Sequence, residues 1–295
     1  MHPAFSVILF STLSGAGFGL LAFLGVGWPA PEGLAAFVFY AIGFALAVSG
    51  LIASTFHLGR PERALRAFTQ WRSSWLSREA CLAVAALVLA GLTALAQIFG
   101  SGHVLVLGWL AAAFCIATVL STSMIYASLK TVPRWNDLTT PALFLGWALA
   151  GGALLAAHVM LAAVLFLVAS AIQLAHWIRG DSALRRSGTT LATATGLEGG
   201  RVRSFEPPHT GGNYLTREMV FQVARKHALR LRVIGLALAG VVPAVLLLIA
   251  PASHVTAGLA LLCHFQGLLV TRWLFFAEAE HVVGLYYGAH TARTA

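Results

Sequence analysis

The 295-residue sequence is 59% apolar and 10% charged, with a mean hydropathy of +0.83. Soluble domains carry roughly 25% charged residues, so this chain cannot clothe a water-facing surface, and its net charge of +9 is not that of a soluble nucleic-acid-binding module. Cys81, Cys115 and Cys263 stand singly in apolar runs and read as small buried hydrophobes, leaving no closely spaced set to hold an iron–sulfur cluster.

In chain order, the opening MHPAFSVILF lacks a basic lead and a small-residue processing site, so its apolar run reads as a first membrane helix. A spanning helix needs about 20 predominantly apolar residues. Segments of that kind fall at roughly 5–27, 34–57, 79–99, 103–127, 141–157, 159–178, 230–250 and 255–276. Residues 141–178 form one apolar stretch of 38, which a tight hairpin near His158 divides. Pro141 opens the fifth helix harmlessly, whereas Pro243 lies inside the seventh and predicts a kink. Gly15, Gly17 and Gly19 in the first helix read as close helix contacts. The fold class is therefore all-α integral membrane, one domain of eight transmembrane helices with both termini cytoplasmic.

The cations set that orientation. Arg60, Arg63, Arg66, Arg72 and Arg78 lie in 58–78, Lys130 and Arg134 in 128–140, ten more in 179–232, and Arg272 and Arg293 near the C-terminus. The alternate connections (28–33, 100–102, the turn near 158, and 251–254) hold no Lys or Arg. With eight spans all nineteen cations share one side, which the positive-inside rule makes cytoplasmic. The connection 179–229 is rich in Gly, Thr, Ser and Pro at first and then helix-prone from Thr216. Its basic charge fits a docked protein or anionic lipid headgroups.

Chemistry concentrates around STFHLGRPERALRAFTQWRSSWLSREA, residues 54–80. His57 ends the second span and Glu79 opens the third, so an imidazole and a carboxylate face one interface. That pairing suits a quinone, whose carbonyl oxygens need hydrogen-bonding groups able to pass protons. The plainer reading is an interfacial cap for His57 and a helix-dipole partner for Glu79. Glu278, Glu280 and His281 close the last span on the same side, as a proton path, a partner contact or solvated charge. Arg272 is expected to snorkel, and His264, near Gln266, to bond between helices. His103, His158 and His254 lie at the opposite side without the helix-pair spacing of a bis-histidine haem. Trp71, Trp75, Trp109, Trp135 and Trp273 fall at expected interfaces, as an aromatic belt does.

HLGRPERA at 57–64, LSREA at 76–80 and YASLKTVPRWNDLTTP at 126–141 together resemble the membrane anchor subunit family of dimethyl sulfoxide reductase. The opening MHPAFSVILFSTLSGAGFGLLAFLG and closing FFAEAEHVVGLYYG resemble the branch attached to quinone-linked sulfite dehydrogenases. The resemblance covers nearly the whole chain. It implies a haem-free anchor without its own iron–sulfur cluster, joined to an iron–sulfur subunit and a molybdopterin catalytic subunit. It also implies quinone (ubiquinone or menaquinone) as the ligand of His57, Glu79 and Arg63, with Arg60, Arg66, Arg72, Arg201 and Arg203 free to dock the partner. The His-Leu-Gly loop of dimethyl sulfoxide reductase itself lies on the periplasmic side. Here the loop is cationic, which fits the sulfite-oxidising branch with its cytoplasmic partners. A reductase anchor that oxidises quinol is the alternative within the family. A secondary transporter is the rival class, though no repeat relates the two halves, and a scaffold with no quinone site is a third reading.

Reporters fused after Arg72, Arg134 and Arg201 are expected to read as cytoplasmic, and those near Pro31, Gly102, His158 and Ser253 as external. A periplasmic signal from 58–78 overturns the orientation.

Overall fold

The computed structural model describes residues 2–56, 61–100, 102–197, 227–251 and 253–287, plus isolated positions between 202 and 219; residues 61–64 and 287 are described by backbone alone. Eight principal helices follow one another: α1 (Phe5–Gly25), α2 (Gly33–Thr55), α3 (Trp75–Ile98), α4 (Leu105–Ala127), α5 (Thr139–Leu155), α6 (Val159–Asp181), α7 (Ala228–Ile249) and α8 (His254–Ala277). No strand occurs among the described residues. All but α5 are long and apolar enough to cross a membrane. Helix α5 has 17 residues and so extends about 25 Å.

Helices α1 and α5 form the interior. Phe5 is the one exposed residue of α1, and α5 has none. α1 packs on α2, α4, α5 and α8, with α3 beside α2 and α4, and α6 beside α5 and α7. Lipid tails are as apolar as leucine, so helices in a bilayer associate through close backbone packing. Glycines make that possible here. A Cβ on Gly17 would strike Ala47 and Gly43 of α2, one on Gly25 the Gly108 carbonyl of α4, and one on Gly19 the Ala148 carbonyl of α5. A Cβ on Gly152 of α5 would in turn strike the Gly19 backbone.

The expected hairpin is a three-residue turn between Leu155 and Val159, with Ala157 left-handed at φ 62°. The expected distortion of α7 is also present, as a π-helical turn over Ala237–Val241. Pro243 has no N–H for the Ala239 carbonyl four residues back, and His264 Nδ1 of α8 donates to that carbonyl at 2.7 Å. His264 thus bonds between helices.

The helices alternate in direction, so one end of the bundle gathers the start of α1 and the end of α2. There, too, are the start of α3, the end of α4 and the end of α8; residues from all of them line one cavity. At the other end His103 Nε2 donates to the Gly25 carbonyl at 2.9 Å, and His158 packs on Trp28 with centroids 4.2 Å apart. Short helices Ala183–Arg186 and Leu191–Thr195 follow α6. A capping box at Thr190 starts the second, and the Tyr286 hydroxyl donates to the Ala194 carbonyl at 2.6 Å.

Replacing Gly19 or Gly152 by Val is expected to cost about 1–3 kcal/mol or more through forced separation of α1 and α5. Gly258, whose added Cβ meets nothing within 4 Å, is the control. Thermal unfolding of the detergent-solubilised protein separates them; equal midpoints for Gly19→Val and Gly258→Ala would discount the close crossing.

Candidate functional site

A cavity of about 380 Å³ lies at the gathered end, within the range that small ligands occupy. Val7 and Phe10 of α1, Ser54 of α2, Leu76 and Glu79 of α3, and Tyr126 of α4 contribute walls, closed by Trp135 and Phe276. Most of the lining is apolar, and Glu79 supplies the carboxylate. An ionisable side chain inside a membrane bundle is a candidate functional residue.

Glu79 does not open its helix at the interface. Helix α3 begins at Trp75, one turn earlier than expected, and Glu79 is only 4% exposed. The Thr122 hydroxyl of α4 is its hydrogen-bond partner. That hydroxyl also reaches the Thr118 carbonyl at 3.0 Å. One hydroxyl proton cannot serve both acceptors. A proton on Glu79, donated to Thr122 Oγ1 while Thr122 donates to Thr118, completes both bonds. The pair can hold one proton at the cavity wall, and its release would turn the Thr122 hydroxyl from the Thr118 carbonyl to the carboxylate.

Of the other expected quinone residues, His57 lies outside the described residues, as do Arg60 and Arg201, and the Arg63 side chain is likewise undescribed. Ser54, three residues before His57, shares the cavity with Glu79. Arg63 falls in the 3-10 segment Pro61–Phe68, which packs against α3. Arg66, Arg72 and Arg203, expected to dock a partner, are exposed. Arg78 is instead a brace. It donates to the Trp71 carbonyl at 2.9 Å and the Arg72 carbonyl at 2.7 Å, and lies 4.3 Å over the Trp75 ring.

Behind the cavity an ion-pair lattice, not foreseen from the sequence, laces the helix ends. Arg134 reaches Asp181, the last residue of α6, at 2.6 Å and Glu278, just after α8, at 3.4 Å. Arg232 of α7 reaches the same two acids at 2.6 and 2.7 Å. Glu278 is thus a buried structural anion, not a solvated interfacial one. Nearby, Arg179 forks onto Asp137, with its closest contact at 2.6 Å, and Asp137 also accepts the Thr139 N–H at 2.9 Å. Burial opposes ionisation of Asp137, but these bonds outweigh it and hold its carboxyl at about 2. His281 follows the lattice and accepts the Val283 N–H at 3.0 Å; burial moves its pKa down.

Two further expectations are corrected. Trp135 does not sit in an interfacial belt: it is 2% exposed and donates to the Phe275 carbonyl at 2.9 Å. Arg272 does not snorkel, being 3% exposed with its guanidinium 3.7 Å from the Phe144 ring centroid. Thr122, Tyr126 and His176, which sits 2.9 Å from the Thr139 hydroxyl, were also not anticipated. The run Ser121–Thr122–Ser123 inside an apolar span was the one available signal.

Fold and cavity together define a multi-pass helical membrane protein with a protonatable site at one end of its bundle. A sequence model of the DMSO reductase anchor subunit family (DmsC) matches residues 1–288, and the chain belongs to that family. It is also 37% identical to a sulfite dehydrogenase subunit of Allochromatium vinosum, over 97% of this chain and 99% of that one.

Removing one member of the lattice leaves unmatched buried charge. Glu278→Ala is expected to cost about 3 kcal/mol of stability. The paired change Arg232→Met with Glu278→Leu should cost less, measured as unfolding midpoints in detergent. A double variant weaker than the single would count against a pairing role.

Proposed function

We propose that this anchor is the quinone-reactive subunit of a molybdopterin and iron–sulfur oxidoreductase of the bacterial cytoplasmic membrane, oxidising sulfite and reducing quinone. All eight helices cross the bilayer, with α5 as a short span inside the bundle. Both termini and the partner subunits lie on the cytoplasmic side. Family membership supports the anchor role, and the name of the Allochromatium vinosum relative supports sulfite as the complex's substrate. The orientation rests on the cation distribution, since Arg66, Arg72, Lys130, Arg179, Arg185 and Arg230 all belong to the gathered end.

The observation that carries the quinone reading is the buried Glu79–Thr122 pair on the wall of the cavity. Helix α2 ends at that cavity, and His57 comes two residues after its last turn. A quinone entering from the bilayer accepts a hydrogen bond from His57 at one carbonyl oxygen. Two electrons arrive singly from the iron–sulfur subunit docked on the exposed arginines, which pair with its carboxylates. Two protons complete the quinol, one from Glu79 and one through His57, each regained from cytoplasmic water. Arg63 stabilises negative charge developing on the ring, an electrostatic contribution of about 3 kcal/mol in comparable sites.

His57→Ala is expected to abolish quinone-linked turnover of the assembled complex while artificial acceptors still take electrons from the catalytic subunits. Glu79→Gln should slow the same step less, because water can replace its proton. Normal quinone reduction by an assembled His57→Ala complex would falsify the assignment.

A further inference from the structure

Among the described residues, the acids of the helix-end lattice are already taken. Asp181 and Glu278 each bind both Arg134 and Arg232. Arg272 belongs to no such pair. Its Nε and Nη1 are buried and have no hydrogen-bond partner among the described residues. A guanidinium stays protonated in proteins and presents five N–H donors, so a buried one without acceptors is expensive in a membrane interior.

Its surroundings relate it to the cavity. The guanidinium lies on Phe144, and Phe144 stacks on Tyr126 at 5.7 Å with ring planes 30° apart. Tyr126 lines the cavity, and its hydroxyl is within electrostatic reach of both Glu79 and Arg272. Phe276, one turn after Arg272 on the same helix, lines the cavity too. The cation therefore sits behind the Phe144–Tyr126 stack that walls Glu79's chamber.

We propose that Arg272 is a second, fixed cation set behind the aromatic wall of the quinone site, where its field favours the ring oxygen that gains negative charge on reduction. This rests on the quinone reading of the cavity. Arg272 is a positioning residue of the site: it favours an anionic oxygen over a neutral one, while Glu79 on the other side of Tyr126 supplies the proton. No redox partner is needed beyond the iron–sulfur subunit already named, because Arg272 neither gains nor loses a proton or an electron.

The test compares two probes with the purified, assembled complex: a hydroxynaphthoquinone, ionised at neutral pH, and its neutral parent naphthoquinone. Arg272→Gln should weaken saturable binding of the ionised probe by about tenfold, as loss of a nearby positive charge in a low-dielectric interior does, and leave the neutral probe within about twofold. Arg272→Lys, which keeps the charge, should retain most of the preference. Equal losses for both probes would mean that Arg272 only supports the fold, and no loss for either would mean that it faces no ligand; each outcome overturns the proposal. Where Arg272→Gln fails to assemble, Phe144→Leu removes the ring beneath the guanidinium and should cut the same preference, and an unchanged preference there is equally fatal. If the unmodified complex binds neither probe saturably, the quinone reading itself falls and this assignment with it.

Discussion

Between helices in hydrocarbon there is no water to expel, so the bundle depends on how closely backbones can approach. Helix α1 meets that constraint on three sides, with Gly17 against α2, Gly19 against α5 and Gly25 against α4. Everything at the cavity follows from this. α1 contributes Val7 and Phe10 to a wall it shares with α2, α3 and α4, and those helices can converge there only because α1 is narrow along its length. A wider central helix would separate Ser54 from Glu79.

Charge at the gathered end is handled in two different ways. Along the ends of α6, α7 and α8, two arginines and two carboxylates pair with one another, only Arg134 Nε among their buried atoms having no partner among the described residues, and the loop between α4 and α5 is fastened by the same bonds. Nearer the cavity the polar groups are left partly open. Glu79 relies on one hydroxyl, and Arg272 rests on a phenyl ring. The contrast is between an interlocked set of ion pairs and polar groups with few partners. A closed lattice in low dielectric resists change, whereas half-satisfied donors and acceptors leave capacity for a guest.

Much of the fold was legible because membrane crossing imposes its own grammar. Apolar run lengths located the helices, the hairpin at 156–158 followed from an overlong run, and Pro243 announced the distortion of α7. The side chains were harder to read. Glu79 was placed on the right helix and at the right end, but the extra turn from Trp75 to Arg78 carries it inward from the interface. The partners of Arg134 lie 47 and 144 residues away, and no local pattern reports such a pairing. Arg272 misled because a cation five residues from a helix end has room to reach water, and only the packing of Phe144 and Tyr126 decides that it does not. His57, Arg63 and Arg201 lie where the described side chains stop, so their roles rest on the sequence.

Helix α5 has a consequence of another kind. It is the shortest of the eight and presents no exposed residue, so lipid does not press on its flanks. Bilayer thickness constrains a helix through the lipid it touches, by tilt or by local thinning. α5 is exempt. Its length answers to Gly19 and its neighbours on α1, and its ends are fixed by the Thr139 N–H bond to the Asp137 carboxylate and the turn at Ala157. A bilayer of different thickness would therefore strain the outer helices first, leaving the α1–α5 axis as the rigid spindle about which the outer helices adjust.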